Sequence, residues 1–314
     1  MRVEPLLRSA GLSDRASVVR IDGAAVTEAH FGAGPDTVYE IGSLTKTMTA
    51  MLFADAVDAG RVRPETTVGS LLDLGGGQAS DVTLAELASH RSGLPRIATG
   101  LRHRLAVATA ILRHRNPYTA ATPELLAHAR TAKLEHRGHF SYSNLGAALL
   151  GEALGARAGT SYPELLQRRL LQPLAMTRST TPLVPDDLPS GAPTGWSRDG
   201  AREQPWTIGA YAPAGGVRST ANDLTRYVRA IFDGSAPGLD ALTPRWPDDD
   251  GSHVGYGWFT HAVNGTDVTW HNGRTGGFSS MLAIARERRA AVIVLANTAV
   301  ALDDIATQLL LERV

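Results

Sequence analysis

The sequence predicts an α+β fold, an α/β sandwich. An antiparallel sheet of N- and C-terminal strands is flanked by the terminal helices, and an all-helical lobe is inserted between them. Three observations lead there. Strand-like runs sit at both ends of the chain, in "ASVVRIDGAAVTEAHFG" (16–32) and from 254 onward. Helical patterns fill the middle. The 314 residues are enough for two lobes with a real core. Residues 1–76 and 245–314 are assigned to the sheet lobe and 77–244 to the insertion. A site is expected at the seam between them.

The elements follow in order. Residues 16–32 read as two strands around Asp22-Gly23, a hairpin signal. Residues 44–59 read as a helix, with Ser43 at its start and Gly60 just past its end. "TLAELASH" (83–90) is a short helix stopped by "SGLP". Residues 100–115, 122–132, 144–159 and 162–174 read as helices, and 176–212, rich in Pro, Gly, Ser and Thr, as long loops. "STANDLTRYVRAIFDG" (219–234) carries an N-cap and a terminal glycine. "VGYGWFTHAV", "TDVTWHNG", "FSSMLAIARE" and "RAAVIVLANT" read as strands, and 301–313 as a closing helix.

Composition narrows the function. Formal net charge is zero, so no global pull toward nucleic acid or membrane is expected. There is no cysteine, which excludes disulfides and thiol chemistry. "MRVEPLLRSAGLSDRAS" has charges where a signal peptide needs an apolar core, and "AAVIVLANTAVAL" is too short and polar to span a bilayer. A cytoplasmic protein is the expectation. Of 31 basic residues only Lys46 and Lys133 are lysine. Arginine stays protonated, whereas a buried lysine can lose its proton.

Three constellations carry chemistry. The first is Ser43-x-x-Lys46. Side chains at i and i+3 share a helix face, and a lysine with a depressed pKa could take the hydroxyl proton. Alone, the pair is a weak signal and reads as a capping serine with a solvated lysine. The second is "HFSYSNLG" (139–146), where Tyr142 can relay a proton and Asn144 can hold a carbonyl. Alone, Asn144 is a helix cap and Tyr142 a packed ring. The third is "WHNGRTGGF" (270–278), a strand whose glycines admit a close backbone neighbour, or else a tight turn.

Together and in this order they resemble the serine β-lactamase-like, penicillin-binding-protein-like superfamily, in its class C β-lactamase, D-alanyl-D-alanine carboxypeptidase and esterase branch. "IGSLTKTMTA" looks like the nucleophile helix, "SHRSGLP" resembles "THTSGLP", and "YSNLG" matches the Tyr-x-Asn element. "PAGGVRSTANDLTRYV" and "HNGRTGGF" are similar to two later segments. The resemblance spans 16 to about 300. It implies a Ser43 acyl-enzyme, with Lys46 and Tyr142 as the base system and Asn144 positioning substrate or Lys46. It implies an oxyanion hole from the backbone N–H groups of Ser43 and Arg274, with His271 and Gly273 beside it. No metal and no organic cofactor are expected, and the partner is a small-molecule ester or amide.

His271 stands where the resemblance places a lysine, Asn272 replaces a threonine, and Gly215 falls where class C enzymes usually carry a tyrosine. These departures favour an esterase or D-amino-acid-peptidase-like hydrolase over an efficient β-lactamase. An acyltransferase needs the same Ser43, Lys46 and Tyr142, so it stays open, as does a non-catalytic ligand-binding relative. Residues 96–118 hold five arginines, two histidines and no acid. They read as a basic lid selecting an anionic acyl group, or as a solvated face paired with acids such as "PDDDG" (247–251). No G-x-S-x-G, H-E-x-x-H or P-loop is present, and His136 and His139 have no second pair to join as metal ligands.

Overall fold

The computed structural model describes residues 3–12, 14–97, 100–189, 191–248 and 251–312, with the side chains of residues 101–103 outside that description. The acids at 249–250 of "PDDDG", and the side chain of Arg102, one of the five arginines of 96–118, lie outside the described residues.

The strands are β1 Ala16–Asp22, β2 Ala25–Phe31, β3 Tyr39–Glu40, β4 Gly195–Trp196, β5 Arg202–Glu203, β6 Arg218–Ser219, β7 Trp246–Pro247, β8 His253–Val254, β9 Phe259–Val263, β10 Thr266–Arg274, β11 Ser279–Ala285 and β12 Ala290–Ala296. The helices are α1 Glu4–Ser9, α2 Thr45–Asp58, α3 Leu84–Ala88, α4 Leu101–Leu112, α5 Thr122–Thr131, α6 Asn144–Ala158, α7 Tyr162–Leu166, α8 Ala212–Gly215, α9 Ala221–Asp233 and α10 Asp303–Leu311. The expected α+β architecture is what forms. Among the described residues the main sheet has eight strands in the order β2-β1-β12-β11-β10-β9-β8-β7. Every neighbouring pair is antiparallel.

β11 and β12 are buried along their whole length, which explains why their sequences run apolar without alternation. Period-2 geometry still sorts their side chains. Leu282, Ile293 and Leu295 join Val19 and Ile21 on one face, packed with α2 and the helical region. Met281, Val292 and Val294 join Val18 on the other, under Leu7 of α1 and Ile305, Leu309 and Leu310 of α10. The sheet is therefore a middle layer, and α9 also lies against β1 and β12.

α2 is buried on nearly all sides, as expected of a helix threaded between layers. Its threonines stay satisfied. Thr47 Oγ1 donates to Leu44 O at 2.8 Å, and Thr49 Oγ1 donates to Pro213 O at 2.8 Å. α3 opens with a reciprocal capping box between Thr83 and Glu86. α6 is capped by Ser143, whose Oγ accepts from Gly146 N at 2.9 Å. The capping role considered for Asn144 thus falls to the residue before it. Asn144 is the first helical residue, one step too late for the extended backbone a cap requires.

Candidate active site

β3 runs toward α2, but the chain first makes a single 3-10 turn, Gly42–Leu44. Gly42 adopts φ +49°, and a Cβ there would fall 2.7 Å from Arg274 N. Only glycine lets this turn lie against β10. Gly273 answers from the other side, where a Cβ would meet Ile41 O at 1.9 Å. Ser280 Oγ, on β11, donates to Ile41 O at 2.7 Å. The glycines of the late β segment thus do admit a close backbone neighbour, and that neighbour is the Ser43 turn.

Ser43 is not a capping residue. α2 begins at Thr45, and its cap position, Leu44, offers no side-chain hydrogen bond. Ser43 Oγ is instead hydrogen-bonded to Lys46 Nζ at 3.0 Å. Lys46 is buried, and its Nζ also donates to Ala214 O at 2.5 Å. Burial holds the Lys46 pKa well below the ordinary lysine range, and the Arg96 cation pushes the same way. Among the described residues no carboxylate offsets these effects. A neutral amine beside a serine hydroxyl is the electrostatic state a general base requires.

Tyr142 closes the group. Lys46 Nζ lies 4.9 Å from its ring centroid, and Arg96 stacks on the ring at 5.3 Å. Burial pushes the Tyr142 phenol up, and its hydrogen bond with Ser43 partly opposes that. Two imidazoles stand behind. His90 sits 4.4 Å from the Tyr142 ring, centroid to centroid, and its Nδ1 accepts from Ser143 N at 3.2 Å. His271 is buried, with its ring 6.4 Å from that of Tyr142 and its Nδ1 2.5 Å from Asn272 O. That contact makes Nδ1 the protonated nitrogen. Burial, then the nearby Lys46 charge, pushes the His271 pKa down to about 3. Burial also holds His90 well below the usual histidine range. Both imidazoles are neutral at pH 7.

Two cavities meet at Ser43. One, of about 430 Å³, is lined by Arg96, Tyr142, Trp270, Asn272, Arg274 and Asp303 among others. The other, of about 210 Å³, is lined by Arg96, Tyr118, Asn144, Trp206, Gly215 and Arg274 among others. Ser43 and Gly273 line the first cavity, whereas His271 lines neither and sits behind the wall. Asn144 Nδ2 donates to Tyr118 Oη at 2.9 Å rather than to Lys46, and its Oδ1 is buried with no partner among the described residues. Gly215 leaves the second cavity open, since a Cβ there would make only ordinary contacts with Gly42 and Ile208.

Several residues at the site gave no separate signal in the sequence. Tyr118 stands 5.3 Å from Trp206 and 5.1 Å from Tyr211, ring to ring, so loop residues build an aromatic wall. Glu40 anchors that wall: its Oε1 accepts from Trp206 N at 2.9 Å and from Arg218 Nη2 at 2.5 Å. The Glu40–Arg218 ion pair is fully buried between β3 and β6. Among the described residues of the basic 96–118 segment, Arg96 and, at its end, Tyr118 line the cavities. Asp303 is held by Asn272 Nδ2 at 2.7 Å and puts a carboxylate in the larger cavity. His136 and His139 are exposed on a turn.

The chain is similar to several known proteins. Over 201 residues the chain is 29% identical to the D-alanyl-D-alanine-carboxypeptidase/endopeptidase AmpH of Escherichia coli K12, covering 62% of this chain and 49% of that protein. It is 26% identical to beta-lactamase-like protein 2 of Dictyostelium discoideum, covering 87% of this chain and 52% of that one. The chain thus spans about half the length of these relatives. A class C beta-lactamase structure superposes with a TM-score of 0.84 at 20% identity, over 99% of this chain and 95% of that one. The family model described as Beta-lactamase matches residues 3–313. The chain belongs to the beta-lactamase family.

Proposed function

We propose that the protein is a serine hydrolase that works through a Ser43 acyl-enzyme on an ester or amide. The observation that carries this reading is the 3.0 Å contact between Ser43 Oγ and a buried Lys46 Nζ with no carboxylate partner. In the proposed step Ser43 Oγ attacks the carbonyl carbon and its proton passes to neutral Lys46. The carbonyl oxygen becomes an oxyanion held by the N–H groups of Ser43 and Arg274, two donors worth roughly 100- to 1000-fold each. As the tetrahedral species collapses, the leaving group takes that proton through Tyr142. Water then repeats the sequence on the acyl-enzyme, with Lys46 and Tyr142 again as base.

Esters and D-aminoacyl amides fit better than β-lactams. His271 supplies a neutral imidazole where a lysine would supply a cation, and it does not line the cavities. Asp303 adds negative charge to the larger cavity, opposing Arg96 and Arg274 for any substrate carboxylate. The test compares kcat/KM for a short-chain ester, a D-aminoacyl amide and a chromogenic β-lactam. The ester or the amide is expected to exceed the β-lactam. A β-lactam turned over faster than both overturns the preference. Adding an amine acceptor to the same assays reads the acyltransferase alternative as product partition.

A further inference from the structure

α4 is built inside out. α4 lies in the stretch of chain between Arg96 and Tyr118, two residues that line the cavities at Ser43. At 100° per residue, residues 105, 108 and 112 share one face. On a surface helix that face normally packs on the body. Here Leu105, Ile111 and Leu112 are 58%, 60% and 81% exposed, while Val107 and Ala110 are the half-buried positions. Among the described residues, the only other large apolar side chain so exposed is Val184, so the exposed apolar surface concentrates on this helix.

Its charge is equally one-sided. Residues 100–115 carry Arg102, Arg104, Arg113, Arg115, His103 and His114, and no acid, in a chain of zero net charge. His114 is paired with Glu203 Oε1 at 2.6 Å, and Asp199 acts on it from the same side. Among the described residues Arg104, Arg113 and Arg115 make no ion pair with the protein. An occupant must therefore be both apolar and anionic. A bilayer surface with anionic headgroups meets both demands, and a helix of 12 residues lies on such a surface rather than across it. Among the described residues no helix is long and apolar enough to cross a membrane.

We propose that α4 docks on anionic lipid bilayers, with Leu105, Ile111 and Leu112 entering the headgroup region, the arginines on the phosphates, and the mouth of the Ser43 cleft set beside the lipid surface. This goes beyond the acyl-enzyme reading and does not depend on it. The test is co-sedimentation of the full chain with vesicles of phosphatidylcholine alone and of phosphatidylcholine containing phosphatidylglycerol. The wild type is expected to sediment with the phosphatidylglycerol vesicles and to be released by salt. A Leu105→Ser/Leu112→Ser variant should bind at least about ten-fold more weakly. An Arg104→Gln/Arg113→Gln/Arg115→Gln variant should bind about 100-fold more weakly, about five-fold per charge. Melting temperatures should match the wild type, since these side chains are exposed. No sedimentation of wild type with anionic vesicles, or equal binding by wild type and both variants, overturns the proposal. So does a wild-type dimer in light scattering that the leucine variant dissolves, because that assigns the face to a second copy of the chain.

Discussion

Lys46 Nζ lies 3.0 Å from Ser43 Oγ and 2.5 Å from the Ala214 carbonyl oxygen, and among the described residues no carboxylate offsets its burial. A protonated amine there is poorly solvated, so the fold itself favours the free base. Lys46→Met should slow acylation roughly 100- to 10,000-fold. It should also stabilise the fold more at lower pH. The unfolded lysine binds a proton below about pH 10.4. The folded one does not until its depressed pKa is reached. Wild-type stability is therefore lost as pH is lowered through that window, and the methionine variant escapes the loss. Urea denaturation at about pH 9 and about pH 7 checks the sign. A stability difference that shrinks on going to the lower pH contradicts a neutral Lys46.

His90 and His271 bring a second pH effect. Both are buried neutral, so their contribution to stability is full above about pH 6.5 and is lost as pH falls. For His271 the loss runs down to about 3, its folded pKa. Each histidine should steepen the acid limb by about 1.4 kcal/mol per pH unit. His271→Asn should flatten that limb, as read by melting temperature against pH. A variant curve parallel to wild type between about pH 6 and 4 would contradict the assignment.

Gly42→Ala tests the seam between the nucleophile turn and β10. The left-handed backbone costs about 1–2 kcal/mol for alanine. The new Cβ would also press on Arg274 N. Acylation should slow by about 100-fold as Ser43 shifts from the N–H of Arg274. Wild-type acylation by this variant would show that the approach of the two backbones is not needed.

Glu40→Ala should destabilise by about 3–5 kcal/mol, because it leaves Arg218 buried and unpaired. Replacing both residues with apolar side chains, Glu40→Leu with Arg218→Met, should recover most of that loss. Chemical denaturation of the single and double variants measures both. A single variant as stable as wild type would mean that the pair holds nothing in place.

The fold was legible because strand-like runs sit at both ends of the chain and helical stretches fill the middle. β11 and β12 announce themselves as apolar runs between turn residues. Ser43, Lys46, Tyr142 and Asn144 were legible through the family resemblance of their motifs taken together and in order, since Ser-x-x-Lys or Tyr-x-Asn at a helix start alone reads as a cap or a packed ring. What spacing cannot carry is burial. The resemblance puts His271 beside the substrate, but along β10 its buried ring faces opposite to Asn272 and Arg274, which line the larger cavity. Tyr118, Trp206 and the Glu40–Arg218 pair come from loops and two-residue strands far apart in sequence. No local periodicity marks such residues. The basic 96–118 segment was visible as composition, but only the fold separates Arg96, at the cavities, from the arginines of α4.

In the proposed mechanism Ser43 carries the acyl group. Intact-mass spectrometry after brief exposure to a short-ester, D-aminoacyl amide or β-lactam probe tests it most directly. The expected result is a single acyl addition on the wild-type chain, mapped by digestion to the peptide containing Ser43, and its absence in Ser43→Ala. A Ser43→Ala protein that still acquires the adduct, or still turns over ester at the wild-type rate, contradicts the account.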